Sequence, residues 1–161
     1  MTNPADVATQ DLAEPGAREL LQKRYLARLA YLGGDGLPRV IPIGFHWTGE
    51  RIVVCTAETA PKVGALTARP HVALTIDTED EPARELLIRG VAEIDVVDGV
   101  PEEFLLATTK SMDDEQREQF AAQARATYRR MARISIEPHW VRFYDFGAGR
   151  VPAFLLKLMQ G

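Results

Sequence analysis

RVIPIGFHWTGERIVVCTAETAPK, residues 39–62, decides how the rest of the chain is read. Two runs rich in β-branched and aromatic residues, Arg39–Trp47 and Ile52–Ala57, flank the link Thr48-Gly49-Glu50-Arg51. Such runs about a short glycine-containing link predict a β-hairpin. The second run leaves through Glu58-Thr59-Ala60 into Pro61-Lys62-Val63-Gly64-Ala65-Leu66-Thr67-Ala68, where proline near the first helical position marks a helix start. Backbone N–H groups there lack intrahelical partners and carry the positive end of the dipole, and Lys62 adds a full charge. The corner is a candidate seat for the phosphate of a cofactor. With Arg39–Pro42 and Cys55–Thr56 adjacent in one sheet, backbone groups would meet a planar heterocycle, and Thr56, Lys62 and Arg39 would hold its phosphate.

Upstream, residues 1–15 offer few apolar groups to offset ordering entropy and are expected to be mobile. ARELLQK, residues 17–23, predicts a short helix. Tyr25–Leu32 alternates as a strand and reaches Gly33-Gly34-Asp35-Gly36, a turn signal that pairs it with the strand opening at Arg39. Downstream, His71–Asp77 is a strand and Thr78–Ala83 a charged turn. Leu86–Val97 is a long strand in which Gly90 fits a bulge or a barrel bend. Helices are expected from Pro101 to Lys110 and over Asp113–Arg130, with Phe120, Ala124 and Tyr128 on one face. Met131–Phe146 closes the set as a strand in which Pro138 demands a bulge or an edge. The apolar tail VPAFLLKLMQG is expected to dock on something.

Hairpin-like links between about six strands favour antiparallel pairing in a barrel or sandwich over a doubly wound parallel sheet. The 161 residues make one domain, residues 16–161, behind the mobile segment. A net charge of −4 argues against a nucleic-acid partner. No apolar run approaches the roughly 20 residues of a membrane span. The acidic start is no secretory signal, which makes the expected location cytoplasmic.

Chemistry carried by side chains alone finds little support. His46, His71 and His139 show no metal-ligand spacing, and Cys55, the lone cysteine, sits in an apolar strand as a small hydrophobe. Ser111 and Ser135 lack a nucleophile signature. The carboxylate groups 79–81, 102–103 and 113–115 read as solvated or dipole-complementing charges. In His139-Trp140-Val141-Arg142-Phe143-Tyr144, alternation puts Trp140, Arg142 and Tyr144 on one face. That face is either a plain outer surface or an aromatic-cationic wall for a flat anionic ligand.

Several of these stretches together resemble the flavin-binding split β-barrel family related to pyridoxamine 5′-phosphate oxidase. They are Arg39-Val40-Ile41-Pro42-Ile43-Gly44-Phe45, Thr56 with Lys62 six positions on, Arg69–Leu74, Leu87–Ile94 and Pro138–Phe146. The resemblance implies an α+β, mainly β fold, an antiparallel split barrel with short flanking helices. It implies a homodimer with FMN at the subunit interface. Arg39, Val40, Ile41 and Pro42 would line the flavin, and Thr56, Pro61 and Lys62 would hold the ribityl phosphate. Glu85 and Tyr144 would approach from the other subunit, and Arg150 falls near a position that grips substrate phosphate. The function implied is hydride transfer between the flavin and a small organic substrate, with no side chain marked as catalytic acid or base. Some similar proteins use the deazaflavin coenzyme F-420 instead, whose anionic tail asks for extra basic residues; Arg24, Arg28, Arg51 and Arg69 are candidates. A flavin-binding module without turnover is the third reading.

Overall fold

A computed structural model describes residues 4–160. Its strands are β1 (Leu26–Leu32), β2 (Pro38–Gly44), β3 (His46–Trp47), β4 (Ile52–Ala57), β5 (His71–Asp77), β6 (Arg84–Asp98) and β7 (Arg130–Asp145). The helices are α1 (Pro4–Ala13), α2 (Pro15–Lys23), α3 (Pro61–Ala68), α4 (Glu102–Thr108), α5 (Asp114–Thr127) and α6 (Ala153–Met159). All strands join one antiparallel sheet in the order β2-β1-β5-β6-β7-β4-β3. The two ends of this order, β2 and β3, are consecutive in the chain and separated by Phe45 alone. The sheet curls into a barrel whose ladder is not closed between its end strands β2 and β3, a split barrel. Its interior is filled by Leu29, Phe45, Ile52, Val54, Leu74, Ile88, Ile134, Ile136 and Val141.

The expected hairpin between Arg39–Trp47 and Ile52–Ala57 is thereby corrected. The first run breaks at Phe45, whose ring is fully buried. Before the break, all seven residues of β2 pair with β1; after it, only His46 and Trp47 pair with β4. The body of β4 pairs with β7, Cys55 opposite Arg133 and Thr56 opposite Ala132. Arg39–Pro42 and Cys55–Thr56 are therefore not neighbours in the sheet. The cause is competition for partners: β1 takes the whole of β2, and β7 lines up Ile134 and Ile136 against Val54 and Ile52.

Gly90 and Pro138 meet at one place. The β6–β7 register shifts there, Arg89 opposite Trp140 and Gly90 opposite Pro138, so His139 is the extra residue of a bulge. Glycine is required by close approach, since a Cβ at position 90 would lie 2.4 Å from the Glu137 carbonyl oxygen.

Where the sequence predicts mobility, the described part of residues 1–15 carries α1, and Ala8 and Asp11 are buried. Beyond the β4 ladder, no strand among the described residues lies beside the free edge of β7, and α1 lies along this strand. The buried Asp11 accepts a hydrogen bond from the Phe143 N–H at 3.0 Å. One carboxylate thus serves a backbone donor that a neighbouring strand would otherwise meet. The predicted helices over 17–23, 101–110 and 113–130 appear as α2, α4 and α5. α5 is closed by a capping box of Asp113 and Gln116, and Phe120 and Tyr128 both meet the Phe104 ring, with centroids 5.8 Å apart. The tail forms α6 but buries none of its residues on its own chain.

Candidate functional site

Lys62 occupies the first turn of α3, behind Pro61 and an Ala60 N-cap that supplies no side-chain hydrogen bond. The first-turn amides of α3 thus have no side-chain cap. The Lys62 Nζ turns back toward the strand end and donates to Thr56 Oγ1 at 3.4 Å. Thr56 continues the inward-facing series Ile52, Val54, at the mouth of the barrel beside Ala132. Burial lowers the Lys62 pKa from the usual lysine range. Among the described residues, no carboxylate lies within ion-pair distance of this amine. In the first turn Pro61 has no N–H and the Val63 N–H donates to the Ala60 carbonyl at 2.9 Å, so the corner offers a phosphate a half-buried ammonium, a neutral hydroxyl and the Lys62 amide.

Four other predicted residues share the outer face of the sheet. Direct register pairs run Val40–Ala30–Ala73–Arg89–Trp140 and Pro42–Arg28–Thr75–Leu87–Arg142, and Glu85 lies opposite Tyr144. The Arg89 guanidinium carbon stands 4.2 Å from the Trp140 ring centroid and that of Arg142 5.0 Å from it, so the indole lies between two cations. The wall read from alternation is formed, and Arg89, absent from that reading, completes it through cross-strand pairing. Val40 is 64% exposed, and β2 is an edge strand bonded only to β1. Ile41 faces the other way and packs on the barrel core.

Arg39 does not reach the lysine corner. Its guanidinium pairs with Asp35 at 2.7 Å within its own turn. That turn is tied through Gly33 to Arg69, at the opposite end of α3 from Lys62. Arg150 is engaged elsewhere. Its Nη2 pairs with Asp11 and its Nη1 with Glu14 at 3.2 Å, while Nε donates to the Phe143 carbonyl at 2.8 Å. Both ends of the Asp11 carboxylate are consumed in the same cluster. Arg150 is a clamp on the β7 edge rather than a free anion grip.

Of the basic residues named for an anionic tail, Arg24 and Arg28 line one cavity of about 280 Å3 with Tyr25, Pro42, Asp77 and Glu79, and there Arg28 pairs with Asp77 and Glu79. Arg51 pairs with Glu93 and Glu137, and Arg69 donates to a carbonyl. Among the described residues, the buried Nε of Arg24 has no hydrogen-bond partner. Cys55 is a buried hydrophobe, its thiol pushed up to about 12 chiefly by burial. Among the described residues, no three His, Cys, Asp or Glu side chains gather as a metal would need.

Sequence reasoning missed Lys110. Its Nζ sits 3.8 Å over the Phe45 ring centroid and donates to the Arg24 carbonyl at 2.9 Å, and burial pushes its pKa down to about 8. Nothing local signals it, because Phe45 and Arg24 are distant in sequence.

The sheet order, the bulged hairpin and the lysine corner define an antiparallel split-barrel protein. The model of the pyridoxamine 5′-phosphate oxidase family matches residues 13–145, and the chain belongs to that family. No curated protein matches the chain. Among solved structures, an F-420 reductase is 26% identical, over 77% of this chain and 94% of its own, with a TM-score of 0.57. A pyridoxamine 5′-phosphate oxidase-like protein from Listeria innocua is 17% identical, covering 80% and 94%, TM-score 0.56. HutZ, a heme storage protein from Vibrio cholerae, is 18% identical, covering 82% and 93%, TM-score 0.58. The last two likenesses concern the fold.

Proposed function

We propose that this protein is an FMN-binding oxidoreductase, a cytoplasmic homodimer with its cofactor at the subunit interface. The observation that carries the reading is the Lys62–Thr56 pair at the uncapped start of α3, an amine without a carboxylate in a chain of this family. The Lys62 ammonium and amide, with Thr56, hold the cofactor phosphate. Val40 and Pro42 on the open edge of β2 border the ring, which Glu85 and Tyr144 of a second copy cover. Bound flavin supplies the redox chemistry, exchanging a hydride with a small organic substrate. The protein's own part is to bind, orient and exclude water. No helix among the described residues is long and apolar enough to cross a membrane.

A second reading keeps the fold and replaces FMN by deazaflavin coenzyme F-420. It is favoured by the 26% identity to an F-420 reductase. A third, a binding module without turnover, is favoured only by the shared fold of a storage protein. Mass spectrometry of the ligand released from purified protein separates the first two: FMN supports the proposal and a deazaflavin replaces it. Bleaching by reduced nicotinamide, with reoxidation by an added acceptor, separates both from the module; a spectrum that never changes would reject turnover.

A further inference from the structure

Arg89, Trp140 and Arg142 take no part in the barrel core. Their chain neighbours Ile88 and Val141 are buried inside it, whereas Arg89 is exposed and Trp140 and Arg142 are half-buried on the outer face. Both guanidiniums gather on one indole, at 4.2 and 5.0 Å from its centroid. Stacking of this kind uses the flat face of a guanidinium and leaves its N–H edge for other partners. The Arg142 Nη1 donates to the Val141 carbonyl at 2.7 Å, and the Arg89 side chain has no hydrogen bond among the described residues.

The acids nearby do not neutralise this pair. Asp77 is taken by Arg28 and Glu137 by Arg51. Glu85, opposite Tyr144, enters no ion pair among the described residues, and neither do Arg89 and Arg142. Holding two long cations at one ring costs rotamer freedom and like-charge repulsion, which a bound anion offsets. A guanidinium edge meets a carboxylate through two parallel hydrogen bonds, and the indole beside it offers apolar area to a flat body. A carboxylate on a planar unsaturated frame satisfies both. The place suits a substrate, because Arg142 lies two residues along β7 from Tyr144, about 7 Å, and Tyr144 is the residue proposed to cover the cofactor ring of the other copy.

We infer that Arg89, Arg142 and Trp140 bind the carboxylate of a planar organic acid and that this acid is the substrate, the second half resting on the FMN homodimer proposed above. Calorimetric titration of the full-length protein with trans-cinnamate, and with cinnamamide as its uncharged counterpart, tests the first half. The parent should bind the acid about tenfold more tightly than the amide, the worth of a charge-assisted contact. Arg89→Gln should lose most of that preference, with amide binding and melting temperature unchanged because the side chain is exposed. Arg89→Lys, which keeps the charge without the fork, should fall between. Equal affinity for acid and amide in the parent, or the same preference in Arg89→Gln, overturns the carboxylate site. On FMN-loaded protein, cinnamate should slow reoxidation of the reduced flavin by an added acceptor in the parent and not in Arg89→Gln. If FMN binds and cinnamate leaves reoxidation unchanged, the site is not the substrate's. If FMN does not bind, the flavin reading falls, and the titration alone still decides the carboxylate site.

Discussion

Lys62 and Arg150 are both cations at the end of a barrel strand, and their surroundings differ in kind. Arg150 is engaged: two carboxylates and a backbone carbonyl take three of its five N–H donors. Lys62 meets one neutral hydroxyl at 3.4 Å, and burial weakens its hold on its proton. The first arrangement stabilises the fold, with two carboxylates already balancing the charge of the cation. The second is a cation held ready for an anion from outside. Counting partners therefore separates a structural arginine from a binding lysine, although residue type alone makes the arginine the better phosphate ligand.

The comparison breaks most severely at the clamp. Asp11→Ala leaves Arg150 and the Phe143 N–H without their shared acceptor. It should cost about 3 kcal/mol, the lower end for a broken buried pair, because Arg150 is 39% exposed. Urea unfolding measures this, and a loss below 1 kcal/mol would mean that α1 does not seal the β7 edge. Next in size, Lys62→Ala should weaken FMN binding about 10- to 100-fold, the worth of a charge-assisted hydrogen bond, with a melting temperature like that of the parent. A loss of stability instead would make Lys62 another structural cation. Thr56→Val keeps the shape and removes one neutral donor; about a 2- to 10-fold weaker affinity is expected by the same titration.

A pH titration sharpens the contrast with a third cation. Lys110 has its pKa lowered by burial to about 8, below the 10.5 of an unfolded lysine. Between these values the unfolded chain binds the extra proton, so stability should rise as pH climbs from about 8 toward 10.5. Below pH 8 both states are charged and the burial penalty is fully present. Melting curves across this range should show the rise in the parent and not in Lys110→Met. An unchanged pH profile in the variant would show that the amine is not desolvated.

What was legible in the sequence was what depends on neighbours in the chain. Thr56 and Lys62 are joined by one turn, so their meeting follows from a strand end and a proline-led helix start. Gly90 and Pro138 each announced an irregularity from their own backbone limits, although only the register shows that they share one bulge. Distant choices were hidden. Nothing near Phe45 says that the strand switches partners there, since the outcome depends on β1 and β7 competing for it. α1 is a short helix whose ordering comes from docking through Asp11 onto Phe143, so its own residues read as mobile. Arg150 looked free for the same reason, with Asp11 and Glu14 at the far end of the chain.

The central claim is that the corner of Lys62 and Thr56 recognises a phosphate. Titrating FMN and riboflavin, which lacks the phosphate, against the parent and Lys62→Ala tests it most directly. The account predicts that the parent prefers FMN strongly and that most of this preference disappears in the variant, with riboflavin binding unchanged. An equal preference for FMN in both proteins would contradict it.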